Sequence, residues 1–121
     1  MATIPAAMSG VPFVLQSAAT TGNGNVLAIP QSFTIHSFII AVAAGVTAGV
    51  VMLEKSFDTA DALVWDPLVA GGVTTNAAAA GTDVSVDYTG RLYFVRARIS
   101  TTISGGGAPS VTVTYLGAKG Y

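Results

Sequence analysis

The sequence predicts an all-β domain: a single antiparallel β-sandwich, jelly-roll-like, of about eight strands. Three observations predict it. Several segments alternate apolar and polar residues with a period of two, Val111-Thr-Val-Thr-Tyr115 most cleanly. Stretches with the three-to-four-residue spacing of an amphipathic helix are missing. Gly (14), Pro (5), Ser and Thr interrupt the chain at short intervals, as many short strands require. A chain of 121 residues buries one core and rarely divides, so residues 11–121 read as one sandwich domain preceded by an arm at residues 1–10.

In chain order, Pro12 to Ala18 forms the opening strand, and Thr21-Gly-Asn-Gly-Asn25 supplies the turn residues that tolerate positive φ. Val26 to Ile29 and Ser32 to Ala43 follow as strands rich in branched and aromatic side chains. The small residues Ala43 to Gly49 read as a turn, and Gly49 to Lys55 as its outgoing strand. Leu63 to Trp65 is a short strand stopped by Asp66-Pro67, which starts a turn. Gly71 to Gly81 has no core face and reads as a surface loop ordered by a neighbour. Val84, Val86 and Tyr88 share a face opposite Ser85 and Asp87. Tyr93, Val95, Ala97 and Ile99 likewise oppose Leu92, Phe94, Arg96 and Arg98. The flexible loop Ser104-Gly-Gly-Gly-Ala-Pro109 then leads into the strand at Val111.

The run from Phe33 to Leu53 lacks charge and is long enough to cross a bilayer as a helix, with a GxxxG spacing at Gly45 and Gly49. Its Val, Ile, Thr and Phe favour strands, no Lys or Arg precedes it, and no Trp or Tyr marks its ends. A hairpin is the expectation, and no membrane. Phe33, Ile35, Ile39 and Ala41 face one way in its first strand and Phe38, Ile40 and Val42 the other. A strand apolar on both faces must be covered twice, so part of it, or the loop beside it, is expected to be buried by another subunit, the alternative being a central strand under a long loop of the same chain.

Only 9% of the residues are charged, far below the roughly 25% of an ordinary soluble domain, while 51% are hydrophobic. Five basic residues against six acidic ones give a net charge of −1, too little cation for phosphate neutralisation, so nucleic acid is not an expected partner. All charges lie from Glu54 onward, so a secretory signal with its basic start is not expected. The absence of Cys excludes disulfides and thiolate chemistry.

Candidate chemistry is sparse. His36 is the only imidazole and lies within the apolar strand, where a structural role is expected. No GxSxG elbow nominates a serine, no zinc constellation exists, and no Walker loop or dinucleotide fingerprint occurs. No spacing pairs the six carboxylates for glycoside hydrolysis. Asp58, Asp61 and Asp66 could offer oxygen ligands to Ca²⁺, but as turn-forming residues they need none. Arg96 and Arg98 project from one strand face and are expected to pair with Glu54 and Asp87, with a phosphate, or with an acidic partner chain. Trp65 suits a core or interface anchor, with sugar stacking as the alternative. The chain therefore reads as a non-enzyme without cofactors.

The ordered set Leu15-Gln-Ser-Ala18, Thr21-Gly-Asn-Gly24, Gly49-Val-Val-Met-Leu-Glu-Lys-Ser-Phe-Asp58 with Trp65 beyond it, Tyr93-Phe-Val-Arg-Ala-Arg-Ile-Ser100, and a glycine loop before Val111-Thr-Val-Thr114 covers nearly the whole chain. It resembles the small β-sandwich virion proteins of tailed bacteriophages. The resemblance implies a structural component made in the bacterial host cytoplasm and placed in the virion, most often on the capsid surface as a decoration or cement protein. It also implies a homo-oligomer, a trimer, bound to the major capsid protein or other virion proteins. A tail, neck or head-fibre component would share the fold; a carbohydrate-binding module is the remaining alternative.

For such a protein the expected contact residues are Ala2, Thr3, Ile4, Pro5 and Phe13 of the uncharged arm and Val73, Thr74 and Asn76 of the small-residue loop. Phe38 and Ile40 of the doubly apolar strand, and Arg96 and Arg98, complete the set. Removing the residues before Val11 is expected to weaken attachment without unfolding the domain.

Overall fold

The computed structural model describes residues 4–57, 63–76 and 80–119, and among them it contains strands and no helix. Nine strands are formed: β1 (Phe13–Ala19), β2 (Leu27–Ala28), β3 (Phe33–Val42), β4 (Val46–Ser56), β5 (Asp66–Pro67), β6 (Val73–Thr74), β7 (Asp83–Thr89), β8 (Phe94–Gly105) and β9 (Val111–Lys119). The first sheet has the order β1-β9-β3-β7; the second has β2-β8-β4-β5, with β6 also on β4. Their strand pairs are antiparallel.

This is the jelly-roll order, in which the chain crosses between two facing sheets at each step except along β4, β5 and β6, which stay in the second sheet. Eight strand positions are filled by nine strands because β5 and β6 share one edge of β4, opposite Glu54 and Lys55 and opposite Val50 and Val51 respectively. Between them, Leu68 N–H donates to the Leu53 carbonyl at 2.8 Å. Asp66-Pro67 is thus part of an edge strand, a position where proline's missing N–H leaves no ladder gap. Val73-Thr74, expected in a loop ordered by a neighbour, is ordered by this chain's own β4.

The charge-free run from Phe33 to Leu53 becomes β3 and most of β4. These strands do not form a hairpin, because both edges of β3 are already occupied, by β7 and β9. Ala43 to Gly45 instead make a corner between the sheets, with Val46 N–H donating to the Ala43 carbonyl at 3.4 Å. Gly45 takes φ 92° there, a conformation that side chains resist. Gly49 lies inside β4, at one of its bulges, rather than in the turn.

Phe38, Ile40 and Val42 of β3 enter the core with Val111, Val113 and Tyr115 of β9, and face Val51, Leu53, Val95 and Ala97 of the second sheet. Phe33 also joins the core, although its spacing from Ile35 and Ile39 places it on the opposite face, because the β3–β9 register shifts between Phe33 and Ile35. Gln16 bridges the layers from β1, donating through Nε2 to the carbonyls of Ala97 and Gly22 at 2.9 and 3.0 Å.

Residues 4–10 of the arm are bound to the sandwich. Ala7 N–H donates to the Ala28 carbonyl and Ala28 N–H to the Pro5 carbonyl, both at 2.8 Å, while Gly10 N–H reaches the Gly117 carbonyl at 3.0 Å. Ala7 is buried in the core. Truncation before Val11 therefore strips β2 of its edge partner, and a lowered melting temperature is expected rather than an intact domain.

Candidate interaction surfaces

The second sheet places Glu54, Arg96 and Arg98 on its outer face, since the register sets Glu54 opposite Arg96 and Met52 opposite Arg98. Arg96 Nε lies 2.9 Å and Arg98 Nε 3.1 Å from Glu54 Oε1. The carboxylate is nearly buried, at 7% side-chain exposure, whereas Arg98 keeps 34%. Arg96 also lies under Trp65, its guanidinium carbon 4.4 Å from the ring centre. A cation held against an indole face gains quadrupole attraction and screens that face from other ligands. The expected pairing with Glu54 is present; Asp87 instead accepts a hydrogen bond from Ser37 at 2.8 Å.

His36 sits in the core end of the first sheet. A carbonyl can only accept, so Nε2 carries the proton it gives to the Gly90 carbonyl at 2.7 Å, and Nδ1 accepts from the Tyr115 hydroxyl at 2.6 Å. The imidazole is neutral. Burial holds its pKa below the ordinary 6.5, and the bond to Gly90 opposes this only in part. Burial likewise pushes the Tyr115 hydroxyl up, keeping it a donor.

The pH consequence follows from the sign of that shift. On acidification the unfolded chain gains a proton near pH 6.5 that the folded chain refuses until lower pH. Stability is then full above pH 6.5 and falls below it by up to about 1.4 kcal/mol per pH unit until the folded imidazole titrates. Urea midpoints at pH 7 and pH 5 should show the fall, and His36→Gln should flatten it; an unchanged slope in the variant would assign the effect elsewhere.

The outer face of the first sheet mixes apolar residues of β1, β3 and β9 with Thr, Ser and the polar outward row of β7. Register rows align Val14 with Thr114 and Ile39, Leu116 with Ser37, and Ala118 with Ile35. Ile35 is 46% and Val14 41% exposed, and in the segment before β1 Val11 and Met8 are 48% and 65% exposed. The charges on this face are Asp83 and Asp87 of β7.

Of the expected contact residues, Ala2 and Thr3 lie outside the described residues. Ile4 is half-buried and Pro5 exposed; Phe13 and Val73 pack partly against the core, while Thr74 and Asn76 are exposed. Phe38 and Ile40 are fully buried inside the chain and present nothing to a partner. Their neighbours Ile35 and Ile39 occupy the outward face instead, a distinction set by which side the second sheet covers. Asp58 and Asp61 lie outside the described residues, and Asp66 is exposed in β5. Among the described residues no three His, Asp or Glu side chains converge on a metal-sized site.

Comparison with protein-family models, with curated proteins and with solved structures gives no match for this chain, leaving geometry and the motif resemblance to carry the functional reading.

Proposed function

We propose that this protein is a non-enzymatic structural protein of a tailed-phage virion, a decoration or cement protein of the capsid surface that works as a homotrimer on the major capsid protein. The observation that carries the reading is the placement of exposed apolar side chains. Met8, Val11, Val14 and Ile35 are large apolar side chains left exposed in a chain with only 9% charged residues. Apolar exposure in so weakly charged a chain favours protein contact over free solvation. The jelly-roll order and the motif resemblance support the same reading, although a fold alone would not assign a function.

In this account the sheet face meets a neighbouring copy and the arm meets the shell. An oligomer presenting several arms binds several shell sites at once, so modest contacts combine through effective concentration. Met8→Asp with Val11→Asp is expected to reduce occupancy on purified particles at least tenfold, because a carboxylate buried in an apolar contact is strongly disfavoured. Both positions are exposed in the chain, so its melting temperature should barely change. Wild-type occupancy of the double variant, measured by quantitative gel of purified particles, would contradict the assignment of the arm.

A further inference from the structure

We propose that the open edge of β7 pairs antiparallel with β7 of a second copy, about a two-fold axis through Val86, joining their four-stranded first sheets into one continuous sheet. The joint is read from this chain alone and goes beyond the reading above. Because it joins edges, it leaves the outer face of the sheet to the contact within a trimer. On an icosahedral shell the three-fold positions are themselves related by two-fold axes, so trimers joined in this way form a closed net.

Sheet edges are ordinarily blunted, because a row of unpaired N–H and C=O groups recruits other strands. Three of the four edges are blunted within this chain. The arm covers β2, with Ala7 N–H on the Ala28 carbonyl, and the β4 edge carries only the two-residue β5 and β6. β1 is bent by two register shifts, and Asn25 N–H occupies its Leu15 carbonyl. β7 differs: seven residues without proline or bulge, paired with β3 in unbroken register, and with no strand on its other side among the described residues. Its one protective device is the pair of carboxylates at Asp83 and Asp87, and these select the register of the joint.

Gly90 N–H donates to the Thr34 carbonyl at 2.8 Å and Val42 N–H to the Thr82 carbonyl at 3.1 Å. Antiparallel bonding alternates, so the even-numbered residues of β7 are bonded to β3, while Asp83, Ser85, Asp87 and Thr89 direct their main-chain groups to the open edge. A second β7 must therefore meet it odd residue against odd residue. Centred on Asp87, such a pairing sets the two Asp87 carboxylates against each other; centred on Ser85, it sets Asp83 against Asp87. Like charges directly opposite disfavour both. Centred on Val86, every carboxylate meets a hydroxyl, Asp87 facing Ser85 and Asp83 facing Thr89, and all seven residues are engaged. Asp87 already accepts from the Ser37 hydroxyl at 2.8 Å, and Ser85 of the second copy donates from its other side. On the inner row the half-buried Val84, Val86 and Tyr88 gain cross-strand neighbours, Val86 against Val86 and Val84 against Tyr88. This self-complementarity selects a second copy as the occupant of the edge.

Light scattering of the full chain over a range of concentrations tests the joint without any virus particle. A single strand pair is small for a permanent interface, so the mass of the 12.1 kDa chain should rise with concentration to two copies, or to six where a trimer is the unit. Ser85→Asp sets carboxylates opposite Asp87 at two symmetric positions and should raise the concentration needed for this doubling about tenfold; Ser85→Lys should lower it about tenfold. Ser85 is exposed, so neither variant should shift the melting temperature appreciably. Single cysteines read the register, in a chain that has no other Cys. Position 86 lies on the axis in a non-hydrogen-bonded pair, whose Cα separation of about 4.5 Å suits a disulfide. Val86→Cys should therefore give a covalent dimer on oxidation, and Ser85→Cys or Asp87→Cys should not. A mass that stops at one copy or three would overturn the proposal. So would doubling indifferent to both Ser85 variants, in which case the aspartates merely blunt an exposed strand edge. Disulfides at Ser85→Cys or Asp87→Cys in place of Val86→Cys would overturn the register. Doubling that occurs normally while the particle-occupancy test fails would overturn the virion reading and leave the joint standing.

Discussion

Replacing Glu54 by alanine is expected to lower the unfolding free energy by about 3 kcal/mol, because removing one partner of a buried ion pair leaves the other charges uncompensated. Here two arginines lose the same acceptor, at 2.9 and 3.1 Å. Partial exposure of Arg98 keeps the loss below that of a fully dry site. Replacing the group together, Glu54→Leu with Arg96→Met and Arg98→Met, should recover most of the loss, since the desolvation penalty disappears with the charges. Urea midpoints of the three proteins decide it. A Glu54→Ala variant within 0.5 kcal/mol of wild type would mean that the arginines find water or another acceptor at little cost, a threshold on the order of ordinary surface substitutions.

Gly24→Ala is expected to be comparably damaging, for a backbone reason. Gly24 has φ 71°, and a methyl group there would press on the carbonyls of Leu15 and Ala97 and on Gln16 Nε2. These are parts of the Gln16 bridge, so relief would open the contact between β1 and β8. Left-handed strain and overpacking together suggest a loss of about 3 kcal/mol. Gly22→Ala is the control: φ is also positive, at 108°, but nothing lies within 4 Å of the added carbon. Equal losses at the two positions would show that strain alone, and not the packed bridge, limits the turn.

The fold was legible in the sequence where period-two alternation is clean. Val111, Val113 and Tyr115 of β9, and Val95, Ala97 and Ile99 of β8, all point inward as alternation requires. The Thr21 to Asn25 turn was likewise marked by its glycines. What alternation could not give was the choice of face in β3, where both sides are apolar and only the second sheet decides that Phe38 and Ile40 go inward. Sheet membership was also hidden, because the Ala43 to Gly45 corner has the same small residues a hairpin would use. Proline at position 67 signalled a turn by composition, yet an edge strand tolerates it equally.

The candidate site was partly legible. Two arginines spaced by two on a strand, in a chain poor in charge, called for an anionic partner, and Glu54 was one of the nominees beside Asp87, a phosphate and a partner chain. That both would converge on this one acid followed from the β4–β8 register, which pairs residues far apart in sequence. His36 was correctly placed in an apolar strand, but its partners Tyr115 and Gly90 are distant in sequence and carried no local signal.

The central claim is that this chain is built to be covered by protein and held on a virion shell. Electron cryo-microscopy of particles from a phage that encodes it tests this most directly. The account predicts jelly-roll density at symmetry-related positions outside the capsid shell, with the arm side of each copy against the major capsid protein. Purified particles that lack the chain, or carry it with Met8, Val11, Val14 and Ile35 all facing solvent, would contradict it.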